Sequence, residues 1–247
     1  METNKIYQGD CLELMKQIED KSIDLVLTDP PYNVQGQIFK FGKKEKRTKF
    51  KWDEGFKTNK DYIAWCYLWL EQIERITKDS ILIWSKYSDA SYFIEFLENK
   101  GWKHKAGIVW HKTNPMPQIR KKNYLMSYET LLWFVRDNKN YKFNFSTQKE
   151  MHNFFESSIC MGKVRTKHPS QKPLGVTEWL IKNHSNEGDI VLDVFMGSGT
   201  TAVACKQLNR NFIGFEINPE YIKIANKRIE EVKQEAMQSE ARHSSQA

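Results

Sequence analysis

The chain has 247 residues, of which 40% are hydrophobic and 28% charged, enough for one large domain with a buried core. A formal net charge of +7 and a pI near 9.0 point to an anionic partner, with nucleic acid the leading candidate. The four cysteines, Cys11, Cys66, Cys160 and Cys205, lack any C-x-x-C spacing, which argues against a zinc site or a disulfide framework. No apolar run approaches membrane-spanning length, and the first residues carry no apolar signal region, so a cytoplasmic protein with no metal is expected.

In chain order, Asp10 caps a predicted helix over about Cys11 to Ile18, and Ile23 to Leu27 reads as a mostly buried strand that stops at Pro30. No apolar periodicity survives from Asn33 to Asn59. That stretch carries Lys40, Lys43, Lys44, Lys46, Arg47, Lys49 and Lys51, with Phe39, Phe41, Phe50 and Trp52 interleaved. Helices are predicted from about Lys60 to Ile76 and from Asp89 to Asn99, with a strand at Ile81–Trp84 between them. Ala106–Trp110 is another strand, then a basic loop with Arg120, Lys121 and Lys122, then a strand at Thr130–Val135.

The segment from Asp137 to Lys167 is polar, irregular and longer than ordinary connections. A helix at Leu174–Asn183, a strand at Ile190–Leu192, a helix at Thr200–Leu208 and a strand at Phe212–Phe215 follow. Asn218 then caps a helix to about Glu235, ahead of a polar tail over 237–247 expected to be disordered. Alternation of this kind favours an open, mainly parallel α/β sheet with helices on both faces.

Two strings carry the chemistry. Asp29-Pro30-Pro31-Tyr32 follows the first apolar strand and joins a carboxylate, a rigid backbone and an aromatic face, the means to grip a planar amino group. Downstream, Asp193-Val194-Phe195-Met196-Gly197-Ser198-Gly199-Thr200 lies between a strand and a helix, where glycines let the backbone approach a ligand closely. Glu216 ends the next strand, placed to bond both hydroxyls of a ribose.

Together these strings resemble the β group of DNA amino-methyltransferases, in which the catalytic signature precedes the cofactor signature. The resemblance covers about residues 5–232, and Val194 departs from it, standing where the family usually has proline. It implies a seven-stranded, Rossmann-like methyltransferase sheet, S-adenosylmethionine as cofactor and double-stranded DNA as partner. A second copy of the chain and a companion restriction enzyme are further partners of such enzymes.

In site residues, the resemblance implies Asp29, Pro30, Pro31 and Tyr32 as the catalytic set. Asp10, Lys172, Asp193, Phe195, Gly197, Ser198, Gly199, Thr200 and Glu216 form the expected cofactor set. Lys172, within Lys167-His168-Pro169-Ser170-Gln171-Lys172-Pro173, is expected near the methionine end of the cofactor, and His168 is read as structural. Asp10 serves equally as a helix cap.

The expected activity is N6 methylation of a flipped-out adenine within a specific DNA site. Cytosine-N4 methylation is the alternative, followed by an RNA methyltransferase or an inactive DNA-binding subunit. The expected organisation is one catalytic domain over 1–236, with DNA-contacting inserts at about 33–59, 112–124 and 137–167. Phosphate contacts are expected from the basic loop between Lys40 and Lys51 and from Arg120, Lys121 and Lys122.

Overall fold

The computed structural model describes residues 1–33, 40–41, 44–45 and 56–244. Its centre is a sheet of eight strands: β1 (Lys5–Gln8), β2 (Ile23–Thr28), β5 (Thr77–Ser85), β6 (Lys103–Lys112), β7 (Tyr128–Val135), β8 (Phe154–Ser157), β9 (Ile190–Asp193) and β10 (Asn211–Glu216). A separate antiparallel pair, β3 (Lys40–Phe41) and β4 (Lys44–Glu45), lies between β2 and β5 in the chain. The order across the large sheet is β1-β10-β9-β2-β5-β7-β6-β8. Only β7 runs against the rest, pairing antiparallel with both β5 and β6.

Alternation along the strands, broken by a bulge between Ile23 and Leu25, divides the core between the two faces of the sheet. Val26, Ile81, Ile83, Phe134, Leu192 and Phe215 turn to one face. They pack there against α1 (Cys11–Met15), α2 (Asn59–Ile76) and α3 (Ala90–Asn99). Leu25, Leu27, Leu82, Trp133, Val191 and Phe212 turn to the other face, towards α4 (Leu174–His184), α5 (Thr200–Gln207) and α6 (Pro219–Ser244). Residues such as Trp69, Tyr62 and Leu70 become wholly buried because α2 presents its apolar stripe to the sheet. A reciprocal capping box between Thr58 and Asp61 fixes where α2 begins.

From β9 the chain crosses to β10 on one side, and from β2 the chain goes on to β5 on the other. The chain therefore diverges between β2 and β9, and a crevice opens beyond their carboxyl ends. Thr28 ends β2 and donates its hydroxyl to Asp193 at the end of β9 (3.0 Å), closing the floor of that crevice. The opposite edge is held by charge. Lys142 reaches Asp24 on β2 (2.8 Å) and Asp189 before β9 (2.6 Å), which anchors the start of the polar segment after β7 to the sheet.

Several elements differ from expectation, the β3–β4 pair among them. The sheet has eight strands where seven are expected, because β8 pairs in parallel with β6 from within the polar segment. With four residues and no buried one, β8 leaves no apolar run to read. β1 is equally short and was not expected. The last helix continues to Ser244, where the sequence suggests an end near Glu235. Among the described residues, no helix is long and apolar enough to cross a membrane.

Candidate active site

A cavity of about 570 Å³ occupies the crevice beyond β2 and β9. The turn after β2 brings Asp29, Pro30, Pro31 and Tyr32 to one wall. The turn after β9 and the end of β10 line the same cavity. Every residue expected in the cofactor set except Gly199 lines this cavity. Gly199 serves packing: its φ is +79°, and an added Cβ would come within 2.6 Å of Ala225 Cβ on α6. Gly197, at φ +51°, faces the cavity itself, where an added Cβ would meet His168 Nε2 at 2.9 Å.

The cofactor-side loop is held by its own polar groups. Asp193 accepts bonds from Thr28 (3.0 Å), Thr201 (2.7 Å) and the Phe195 N–H (3.1 Å), and burial raises its carboxyl to about 6. Its oxygens are engaged by the chain, so Asp193 builds the floor. Glu216 accepts the Gly197 N–H (2.9 Å) and the Asn218 N–H (2.7 Å) and still borders the cavity; burial raises its carboxyl too. Arg228 on α6 donates to the Ser198 carbonyl (2.7 Å) and approaches the Thr200 hydroxyl (3.1 Å). This brace was not legible beforehand, because the arginine lies 28 residues beyond Thr200 on an amphipathic helix. Asp10 caps α1 by accepting the Leu12 N–H (2.8 Å) and also borders the cavity.

The other wall is a run of alternating charges. Lys172 donates to Asp29 Oδ2 and lies 3.0 Å from Glu129, which in turn meets Lys112 at 2.6 Å. Burial raises the Asp29 carboxyl against the opposing pull of Lys172. Burial would raise Glu129 as well, but Lys172 and Lys112 together hold it down at about 2. Desolvation disfavours the Lys172 cation, yet Asp29 and Glu129 outweigh it and keep the ammonium charged. Its Nζ also lies 5.1 Å from the centre of the Trp84 ring and 5.6 Å from that of Tyr32. Glu129 escaped the sequence reading because a single glutamate early in a strand carries no signal.

His168 stacks edge-on against Tyr221 at 4.5 Å, and burial lowers its ring to about 4, which suits the structural part expected of it. Arg120, Lys121 and Lys122 are exposed in the loop after β6, at the sheet edge where β2 and β9 end. Of the other basic set, Lys43, Lys46, Arg47, Lys49 and Lys51 lie outside the described residues. Lys40 and Lys44 are described in backbone alone. Phe39, Phe50 and Trp52 lie outside as well.

Residues 23–227 match the DNA methylase family N6_N4_Mtase. The type II methyltransferase M.HinfI of Haemophilus influenzae is 34% identical, the match covering 93% of this chain and 69% of that protein. M1.MboII of Moraxella bovis, also a type II methyltransferase, is 30% identical over 92% of this chain and 96% of its own. The crystal structure of the M1.HpyAVI–SAM complex superposes with a TM-score of 0.72 at 32% identity, covering 91% of this chain and 98% of that one. The cytosine-N4-specific PvuII DNA methyltransferase shares the fold, with a TM-score of 0.75 at 20% identity over 95% of this chain and 91% of that one.

Proposed function

The chain belongs to the DNA methylase family, and on that premise we propose that it moves the methyl group of S-adenosylmethionine to the N6 amino nitrogen of adenine in a specific DNA site. One observation carries the reading: Asp29-Pro30-Pro31-Tyr32 lines one cavity together with Gly197 in the turn after β9 and Glu216 at the end of β10.

The residues present fit the cofactor. The cavity has the volume of an ordinary small-molecule site. Five acids line it (Asp10, Asp29, Glu129, Asp193 and Glu216) against one lysine, which suits a ligand with a sulfonium and an ammonium group. Glu216 would hold the ribose hydroxyls, and the half-turn at Gly197 lets the backbone come close beside it. Ile217, 63% exposed on the rim next to Glu216, offers an apolar face to a purine. Phe195, packed on Trp65 at 5.7 Å, lines the same wall. When bound, S-adenosylmethionine supplies an electrophilic methyl group on sulfur.

The remaining work falls to the Asp29 wall. Adenine's amino nitrogen is a poor nucleophile because its lone pair is delocalised into the ring. Asp29 accepts one amino hydrogen bond and the Pro30 carbonyl the other, which draws both hydrogens aside and aims the lone pair at the methyl carbon. As the N–C bond forms and the methyl–sulfur bond breaks, leaving a neutral thioether, the Asp29 carboxylate stabilises the positive charge that develops on nitrogen and takes up the proton released. Tyr32 stacks on the base. A target inside a duplex must first be flipped out, at about a few kcal/mol.

The fold does not choose the base, since a cytosine-N4 enzyme shares it. Adenine is proposed from the aspartate at position 29, because resembling N4-cytosine enzymes more often carry serine there. We assign one catalytic domain to 1–236, with recognition in inserts at 33–59, 112–124 and 137–167. A companion restriction enzyme and a second copy of the chain are proposed as further partners, given the type II relatives. A reducing cytoplasm fits the free, buried thiols of Cys11, Cys66 and Cys205.

The reading is tested by incubating the protein with unmethylated genomic DNA and S-adenosylmethionine, then analysing nucleosides by mass spectrometry. N6-methyladenine is expected. N4-methylcytosine would overturn the base assignment, and no methylated nucleoside would overturn the activity.

A further inference from the structure

We propose that Lys172, itself held in place by Glu129 and Lys112, is a positioning device for Asp29: it fixes which carboxylate oxygen faces the target amino group. The idea rests on the functional reading above but concerns residues that act through Asp29 and not on the base directly.

Geometry carries the inference. The four side chains come from four places, the turn after β2, the segment before α4, the start of β7 and the end of β6, yet they form one unbroken line. Signs alternate along it, so the run is neutral as a whole. Lys172 donates to Oδ2 of Asp29, the Tyr32 hydroxyl also interacts with this carboxylate, and in the proposed arrangement Oδ1 takes the amino hydrogen. Trp84 and Tyr32 flank the ammonium and leave it little freedom to turn elsewhere. Salt bridges on exposed surfaces contribute little, but breaking one partner of a buried run leaves an uncompensated charge. Side-chain exposures of 11% for Lys172, 22% for Glu129 and 25% for Asp29 place this run on the buried side.

The chemistry explains the need. A buried carboxylate protonates readily, and a protonated Asp29 can neither accept the amino hydrogen nor stabilise the developing cation. Lys172 opposes protonation. Alone, however, it would quench the carboxylate as an acceptor and repel the cationic methyl donor. Glu129 divides the ammonium's charge between two carboxylates, and Lys112 keeps Glu129 itself ionised. The other titratable groups facing Asp29 are Tyr32 on its own turn, Tyr62 on α2 and Asp193 on β9. The acid among these raises its proton affinity, so none can replace the lysine.

The test reads Asp29 directly. With the carboxyl carbons of aspartate labelled with carbon-13, the chain is titrated by NMR without cofactor or DNA, Asp29 being assigned by the signal lost in Asp29→Asn. Lys172→Met should move the Asp29 titration up by about one to three pH units. Glu129→Gln should move it down, and Lys172→Arg should leave it close to wild type. The acid limb of single-turnover methyl transfer should follow the same order. Opposed shifts from two neighbouring residues are not what general loosening of the fold would produce. If Lys172→Met does not fold, the downward shift in Glu129→Gln carries the test alone.

An Asp29 titration unmoved by Glu129→Gln, or moved the same way by both variants, would overturn the proposal. A wild-type protein that transfers no methyl group would overturn the functional reading instead, while the titration still decides the positioning role.

Discussion

At the scale of single residues, the site depends on buried ionisable groups whose neighbours decide their charge. Asp193 and Glu129 are both buried carboxylates, yet one rises to about 6 and the other falls to about 2. Asp193 meets hydroxyls and one N–H, which satisfy its oxygens without a full positive charge, whereas Glu129 sits between two ammonium groups. The same logic reaches the core. His184 packs against Trp133 (4.5 Å) and Phe143 (5.3 Å), and burial lowers its ring to about 3. A histidine whose folded pKa lies below its unfolded value stabilises the fold above about pH 6.5, and that contribution is lost as pH falls towards 3. Between pH 6 and 5 the wild-type chain should therefore lose about 1 kcal/mol more stability in urea than His184→Gln does. Parallel losses in the two proteins would show that His184 is not held neutral.

At the scale of elements, the strands that carry the two signatures were legible and their surroundings were not. Ile23–Leu27 and Ile190–Leu192 read correctly because a strand buried on both faces is a continuous apolar run. α2 read correctly from its stripe, and its cap, Thr58, lies one residue before the observed start. β5 begins four residues earlier than its apolar part, because Thr77-Lys78-Asp79-Ser80 is polar and Arg136, donating to the Thr77 carbonyl at 3.0 Å, still binds it to the core. The positions of Asp29, Gly197 and Glu216 on one cavity were legible because each follows or ends an apolar strand. Glu129 and Arg228 were not, since each reaches the site through pairing or packing between distant segments. Arg228 ties α6 to the Ser198–Thr200 loop, so Arg228→Ala should weaken S-adenosylmethionine binding by about tenfold, or about 1.4 kcal/mol, in calorimetry. Unchanged affinity would mean that the loop keeps its shape without α6.

At the scale of the whole molecule, the positive charge and the acidic cavity have separate tasks. The net +7 suits the phosphate backbone, while the cavity's five acids suit the cationic cofactor. DNA affinity should fall linearly with the logarithm of salt concentration. Replacing Arg120, Lys121 and Lys122 together by alanine should flatten that line by about 0.9 for each side chain that holds a phosphate. An unaltered slope would assign the phosphate contacts to other basic residues.

Methyl transfer is expected in the cavity that Asp29 shares with Gly197 and Glu216. Its most direct test is the rate at which tritiated methyl groups pass from saturating S-adenosylmethionine to DNA in a single turnover, for wild type and Asp29→Ala. A rate reduced by about a hundredfold or more in the variant is expected, on the scale of losing a preorganised charge stabiliser. Transfer at the wild-type rate would place the chemistry elsewhere.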